Sequence, residues 1–375
     1  VLRHETGIGG EPHPCPRIVL AGGGTGGHLF PGIAIAEAFQ ERYPQCAVCF
    51  ISVGTRIERD ALRLAGFPLR LIRSKGLKGK GFGAQLQSLA EIPVGVAQSI
   101  AILREFRPDV VIGVGGYASG PVCLAAWLLG IPLVLHEQNR ACGLTNRLLK
   151  PIARRLYVSF PFSGKSCSRV RLTGNPVRAG FLRGNGKRGA HSGFTVLVCG
   201  GSQGAHAINQ AVLDAMDRIG DRIRLIHQTG ILDETHVKAH YCQTRLQATV
   251  SAFITDMAAA YAKSDLVVCR AGATTIAEIT VSGKPAIFIP FPHATGDHQM
   301  ANAMALVDAG AAECIPEKAL SGENLARRIV YLMEHPEVLD AMASASRSLG
   351  RPEAAQVIVD DVMGMLIPFC ETTNH

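Results

Sequence analysis

Short apolar runs alternate with stretches of helical spacing along the chain, the pattern of βαβ units feeding a parallel sheet. The runs Arg17 to Ala21, Cys46 to Val53, Leu69 to Ile72, Val110 to Val114 and Pro132 to His136 predict the strands of a first sheet. Phe194 to Cys199, Ile223 to His227, Thr249 to Phe253, Leu266 to Cys269 and Pro285 to Ile289 predict those of a second. Between the two series, Arg183 to Gly193 (RGNGKRGAHSG) has the glycine and charge content of a linker or hinge. The stretch 1–16 reads as a flexible leader. The tail, residues 352–375, has helical spacing at Ala355, Ile358, Val359 and Met363, and is expected to pack back on the first domain. The expected architecture is α/β: two doubly wound domains, 17–177 and 178–351. A length of 375 residues is enough for two separate cores.

The two halves echo each other. Gly22-Gly-Gly-Thr-Gly-Gly-His28 and Gly200-Gly-Ser-Gln-Gly-Ala-His206 each follow the first strand of their half and open a helix. A third loop, Gly115-Gly-Tyr-Ala-Ser-Gly120, follows another first-domain strand. In open α/β sheets ligands bind beyond the carboxyl ends of strands, so these loops point at one shared cleft. Gly22, Gly24 and Gly27 formally make G-x-G-x-x-G, but Ser52-Val-Gly-Thr55 stands where a ribose-binding acid belongs, with Glu58 beyond it. No loop ends in the Gly-Lys-Ser/Thr of a Walker motif. What remains is general: backbone amides at a helix start hold a phosphate or sugar, or the loops are simply tight turns.

Composition narrows the field. Hydrophobic residues are 47% and charged ones 18%, which excludes a disordered chain. The net charge of +8 is uneven: residues 1–180 carry 22 Lys+Arg against 10 Asp+Glu, and 181–375 carry 16 against 20. A basic half suits nucleic acid, an anionic membrane or phosphorylated small molecules. Aromatics at 6% and the absence of zinc-finger, basic-zipper or RNA-binding signatures argue against nucleic acid. The longest uncharged stretch, Val110 to Leu135, is broken by five glycines and two prolines and reads as strand, loop, helix and strand rather than a membrane span. The 11 cysteines are scattered apart from Cys46 and Cys49, so no metal site is expected and a reducing cytoplasm is.

The most informative segment is Cys269-Arg-Ala-Gly-Ala-Thr-Thr-Ile-Ala-Glu278. It leaves a strand and enters a helix near Ala273, where the amides of Ala273, Thr274 and Thr275 would face a phosphate. Glu278, a turn further on, either accepts hydrogen bonds from both hydroxyls of a ribose or merely favours the helix dipole.

The blocks GGGTGGHLFPGIAIAEAF, GGYASGPVCLAAWLLGIPLVLHEQN, TGNPVR, GGSQGAHAIN, HQTG, FITDMAAAYAKSDLVVCRAGATTIAE and PFPHATGDHQMANA stand in one order. That series resembles the MurG family of N-acetylglucosaminyltransferases (glycosyltransferase family 28), over Arg17 to about Ile367. The resemblance implies a GT-B fold, two Rossmann-like domains around a cleft. It implies inverting, metal-independent and cofactor-free transfer of N-acetylglucosamine (GlcNAc) from UDP-GlcNAc to the C4 hydroxyl of lipid I, giving lipid II in peptidoglycan synthesis. For the donor it implies Ser202 and Gln203 on the diphosphate or sugar, Ile254 on uracil through its backbone, Glu278 on the ribose, and Ala273, Thr274 and Thr275 at the helix start. Asn139 and Gln299 would meet the donor sugar. The family commonly has Ala-Leu-Thr where this chain has Ala273-Thr-Thr275, and some members have two glutamines at His298-Gln299. Arg178 corresponds to an interdomain arginine near the nucleotide, or makes a domain-linking salt bridge.

His28 is the candidate base, with Glu137 of His136-Glu-Gln-Asn139 as its rival; His28 at a helix start also suits simple capping. Thr25, Gly26 and Gly27, which the resemblance also sets near the donor, would hold the acceptor pyrophosphate, aided by Gly115, Gly116 and Tyr117. The acceptor is lipid-anchored, so the enzyme is expected at the cytoplasmic face of the bacterial inner membrane as a peripheral protein. Arg73, Lys75, Lys78 and Lys80, with Leu77 and Phe82 between them, suit anionic headgroups, with Arg140, Arg147 and Lys150 nearby. Trp127 either joins that patch or packs in the core. Cell-wall synthesis and division proteins are candidate partners. The alternatives are a UDP-GlcNAc 2-epimerase-like enzyme and a non-catalytic nucleotide or lipid-binding module.

Overall fold

The computed structural model describes residues 15–75, 82–161, 168–182, 193–201, 204–294 and 297–366, with only the backbone path for 82–90. The leader up to residue 14, the linker 183–192 and the end of the tail, 367–375, lie outside the described residues.

The first half runs β1 (Arg17–Ala21), α1 (Gly26–Arg42), β2 (Ala47–Ser52), α2 (Arg56–Ala65), β3 (Leu69–Leu71), α3 (Phe82–Phe106), β4 (Val110–Gly113), α4 (Ser119–Leu128), β5 (Leu133–Glu137), α5 (Leu144–Leu149), β6 (Arg155–Val158) and β7 (Val170–Leu172). Its strands form one parallel sheet in the order β3-β2-β1-β4-β5-β6-β7. The second half runs α6 (Ala179–Leu182), β8 (Phe194–Cys199), α7 (His206–Ile219), β9 (Ile223–Gln228), α8 (Glu234–Tyr241), β10 (Gln247–Ser251), α9 (Met257–Ala262), β11 (Leu266–Cys269), α10 (Ala273–Ser282), β12 (Ala286–Phe288), α11 (His298–Asp308), β13 (Ala312–Cys314), α12 (Gly322–Glu334) and α13 (Pro336–Leu349). Its parallel sheet has the order β10-β9-β8-β11-β12-β13.

Both orders reverse direction beside the first strand of the half, between β1 and β4 and between β8 and β11. The crevice of a doubly wound sheet opens at such a switch point. The central strands are buried throughout, Ile18 to Ala21 and Val196 to Val198 being inaccessible, because helices cover both faces. Strands β6, β7 and β13 are additions to the sequence expectation. Arg-Leu-Tyr-Val, Val-Arg-Leu and Ala-Glu-Cys are too short and too mixed to stand out as apolar runs.

α14 (Ala354–Leu366) leaves the second half and lies against α1. Ile358, Val359 and Val362 join the core that contains Ile35, Phe39 and Tyr157. Asp361 on that helix accepts a hydrogen bond from the Tyr157 hydroxyl at 2.8 Å and pairs with Arg171 at 2.8 Å and Arg155 at 3.4 Å. Among the described residues no helix is long and apolar enough to cross a membrane.

Candidate active site

Two loops of the first sheet meet backbone to backbone at its switch point. A Cβ on Gly22 (φ +136°) would lie 2.3 Å from the Gly115 carbonyl oxygen, and one on Gly116 (φ +81°) 2.4 Å from that of Gly23. Only glycine permits that approach at those dihedrals. Glu58, fully buried on α2, fixes the first loop from below. Its carboxylate accepts from the Gly24 amide at 2.6 Å, the Ser52 hydroxyl at 2.5 Å and the Thr55 amide at 2.5 Å. Glu58 therefore stands near the end of β2, where a ribose ligand was sought, but it organises the loop instead.

Thr25 is the N-cap of α1, and its hydroxyl lies 3.1 Å from His28 Nδ1. That contact fits an Nδ1–H donating to Thr25 and leaves Nε2 with its lone pair. The half-buried ring faces Gly115: a Cβ there would meet His28 Cδ2 at 2.8 Å. Burial pushes the imidazole below its ordinary 6.5, Glu137 pulls it up and His298 pushes it down. His28 thus feels charges from both halves of the molecule.

Glu137 closes β5 and is buried. One carboxylate oxygen accepts from the backbone amide of Asn139 at 3.1 Å and from its side chain at 3.5 Å, the other from Gly143 N–H and Asn146 Nδ2, both at 2.9 Å. These bonds shape the loop 138–143 and seat the start of α5. His136 beside it is buried and pushed down to about 4 by loss of solvation, a neutral core histidine holding the Gly174 carbonyl at 3.4 Å.

In the second half α10 begins at Ala273, with Gly272 as its N-cap, so the amides of its first turn lack intrahelical acceptors. Glu278 is buried and its carboxyl is pushed up by burial, with Arg178 acting against that shift. Arg178 Nη2 donates to Glu278 Oε1 at 3.2 Å, and its guanidinium lies 4.2 Å from the ring centroid of Phe30 on α1. The Arg178 salt bridge thus lies within the second half, and it is the contact with Phe30 that links the halves. A cavity of about 990 Å³ opens beside it, lined among others by Phe30, Ile33, Phe181, Phe253 and Met257.

The halves touch where both sites begin. Pro31 lies inside α1, so the Gly27 carbonyl four residues earlier has no helical N–H to accept. That carbonyl accepts a hydrogen bond from the Thr274 hydroxyl of α10 at 3.1 Å. A leucine at position 274 would supply no such donor.

Of the remaining candidates, Ile254 N–H donates to Gln228 Oε1 at 2.8 Å, and Gln299 Oε1 accepts from Phe291 N–H at 2.9 Å. Asn139 and Thr275 are half-buried and Tyr117 is 36% exposed. Ser202 and Gln203 lie outside the described residues, as do Leu77, Lys78, Lys80 and the side chain of Phe82. Arg73 and Lys75 are exposed, Lys75 pairing with Glu91 at 2.7 Å, and the Ser74 hydroxyl ties this segment to the Tyr117 carbonyl at 3.1 Å. Trp127 is 50% exposed, which rules out core packing for it. It stands at the end of α4 with Leu128 (56%), and α5, which touches α4, exposes Leu148 (69%) beside Arg147.

Comparison with known proteins adds three findings. The models of the glycosyltransferase family 28 N-terminal and C-terminal domains match residues 18–158 and 195–358. The chain is 47% identical over 363 residues to the UDP-N-acetylglucosamine–N-acetylmuramyl-(pentapeptide) pyrophosphoryl-undecaprenol N-acetylglucosamine transferase of Myxococcus xanthus, covering 94% of this chain and 93% of the relative. Among solved structures, Acinetobacter baumannii MurG superposes with a TM-score of 0.75 at 32% identity, covering 94% of this chain and all of that one. A UDP-GlcNAc 2-epimerase from Neisseria meningitidis has a TM-score of 0.63 at 14% identity, covering 93% of this chain and all of that one, which is a likeness of fold alone.

Proposed function

The chain belongs to glycosyltransferase family 28, and from that premise we propose that it transfers GlcNAc from UDP-GlcNAc to the muramoyl-pentapeptide of lipid I, with inversion at the anomeric carbon. One observation carries the reading. The start of α1, with His28, and the start of α10, above Glu278, meet through the 3.1 Å bond from Thr274 to Gly27. An acceptor held by one and a donor held by the other are within reach of each other.

In this scheme residues 17–177 with the tail helix form the acceptor domain and 178–351 the donor domain. Uridine lies against the Ile254 backbone near Arg178, Glu278 accepts from the ribose hydroxyls, and the diphosphate rests on the loop after β8 and the amides of Ala273, Thr274 and Thr275. Asn139 and Gln299 orient the sugar. His28 Nε2 takes the proton of the acceptor hydroxyl as the new C–O bond forms and the bond to UDP breaks. Arg178 and the dipole of α10 stabilise the departing diphosphate. Glu137, held by four donors from the following loop and α5, supports the geometry rather than exchanging a proton. Thr25, Gly26, Gly27, Gly115, Gly116 and Tyr117 hold the acceptor pyrophosphate.

The acceptor's lipid places the first domain against the cytoplasmic face of the inner membrane. Exposed Trp127, Leu128 and Leu148 next to Arg147, with Arg73 and Lys75, support that surface. Trp127→Ser with Leu148→Ser should lower co-sedimentation with phosphatidylglycerol vesicles several-fold while leaving UDP binding intact; unchanged sedimentation would remove this surface from consideration. The catalytic reading is tested by incubating the protein with UDP-GlcNAc and a lipid I analogue. Acceptor-dependent UDP release with formation of the disaccharide is expected. Conversion of the donor to UDP-ManNAc, or release indifferent to the acceptor, would overturn it.

A further inference from the structure

We propose that Gln228 is a positioning residue for the donor, fixing the spacing between the loop that takes the diphosphate and the segment that reads the base; this rests on the donor assignment above. Gln228 is the last residue of β9, registered with Cys199 on β8 and Ser251 on β10. Its side chain therefore lies between the two loops that leave those neighbouring strands. It is 2% exposed and uses both ends: Nε2 donates to the Gly201 carbonyl at 2.9 Å, and Oε1 accepts from the Ile254 amide at 2.8 Å. Chemistry fixes the orientation of the amide, because a carbonyl faces only a donor and an N–H only an acceptor.

Both partners sit in loops that the sheet alone does not hold. Gly201, at φ +93°, opens the loop after β8, and its carbonyl accepts from the Gly204 amide at 3.1 Å as well as from Gln228. Gln228 joins it to the segment 252–256 through one buried side chain. A ligand that bridges both loops gains from a spacing set in advance, whereas a ligand touching one loop gains nothing from the link.

That asymmetry supplies the test. Dissociation constants for UDP, uridine and pyrophosphate are measured by competition on the full chain and on Gln228→Met, which keeps the volume and removes both hydrogen bonds. UDP binding should weaken by about tenfold, with uridine and pyrophosphate each within twofold of wild type. KM for UDP-GlcNAc should rise in parallel, with kcat and the acceptor KM little changed. Equal losses for UDP and uridine would reduce Gln228 to a general structural role, and an unchanged UDP constant would refute the link; either result overturns the proposal. If the methionine variant does not fold, Gln228→Asn, too short to bridge both partners, should show the same asymmetry. A wild-type protein that binds none of the three ligands would overturn the donor assignment itself.

Discussion

Replacing Arg178 by leucine isolates the electrostatics of the proposed donor site. The side chains of Arg178 and Glu278 are 23% and 10% exposed, with Nη2 and Oε1 3.2 Å apart. Leucine keeps bulk against Phe30 and Phe181 but removes the charge that opposes the upward push of burial on Glu278. A carboxylate stranded in this way costs about 3–5 kcal/mol if it stays ionised. Protonation limits the cost to about 1.4 kcal/mol per pH unit between the pH and the folded pKa. A carboxyl raised in the folded state binds more protons there than in the unfolded chain. Its contribution is present below the ordinary 4.5 and is lost as pH rises through the folded value. Arg178→Leu moves that folded value further up and extends the loss towards neutrality. Against wild type, urea unfolding should show a deficit of about 1 kcal/mol at pH 4.5, from the lost contact with the Phe30 ring, growing to about 3 kcal/mol near pH 7.5. Donor affinity in the variant should move the opposite way, recovering as pH rises, since only the ionised carboxylate accepts from both ribose hydroxyls. Adding Glu278→Gln should flatten both profiles. A deficit that is constant from pH 4.5 to 7.5 would refute the reasoning.

His28→Gln should lower kcat by about 10²–10⁴-fold with little change in donor KM, and the acid limb of wild-type kcat/KM should fall below 6.5 because burial lowers the imidazole. Glu137→Gln, which disturbs four loop contacts, should lower melting temperature as well as activity yet leave that limb in place; disappearance of the limb in Glu137→Gln alone would transfer the base to Glu137. Thr274→Val removes the hydroxyl that reaches Gly27 while keeping the side chain's shape. It should leave melting within about 1 kcal/mol of wild type but raise acceptor-independent hydrolysis relative to transfer, and a hydrolysis-to-transfer ratio equal to wild type would deny that contact a role.

The five strands expected in each half are present, and the central ones, covered on both faces, write themselves as unbroken apolar runs. Edge strands leave a weaker signal: β3 and β10 still read as short apolar runs, whereas β7, with Leu172 49% exposed, reads as loop. Site residues divide in the same way. Glycine loops and the Arg270 to Glu278 turn are local, each a strand end running into a helix start, and are legible as spacing. Glu58 and Gln228 are not, since each acts on a glycine loop that is 34 or 27 residues away in the chain. The HQTG block contained Gln228, but nothing in its neighbours reports that both ends of its amide are occupied. Pro31 is the clearest case of a signal present but unread. It stands in the first glycine block, and its consequence, a free carbonyl at Gly27, gains meaning only when α10 brings Thr274 to it.

These clips also explain how two halves of one topology come to treat charge differently. The basic half, with 22 Lys+Arg against 10 Asp+Glu, closes its glycine loop over the carboxylate of Glu58, while the half with 16 against 20 closes its loop over the neutral amide of Gln228. Screening confines the surface charge to within about 8 Å at physiological salt, so within a cleft the groups beneath the loop outweigh the sum over the half. Glu58 occupies the Gly24 amide that another fold would offer to phosphate, so an anion at this loop depends on the amides of the α1 start instead. The Gly201 carbonyl of the other loop rests on a neutral amide. In the proposed scheme the anionic donor lies over the neutral clip, in the acidic half. The basic surface of the other half is the one that the proposed scheme sets against an anionic membrane, at distances within that screening length.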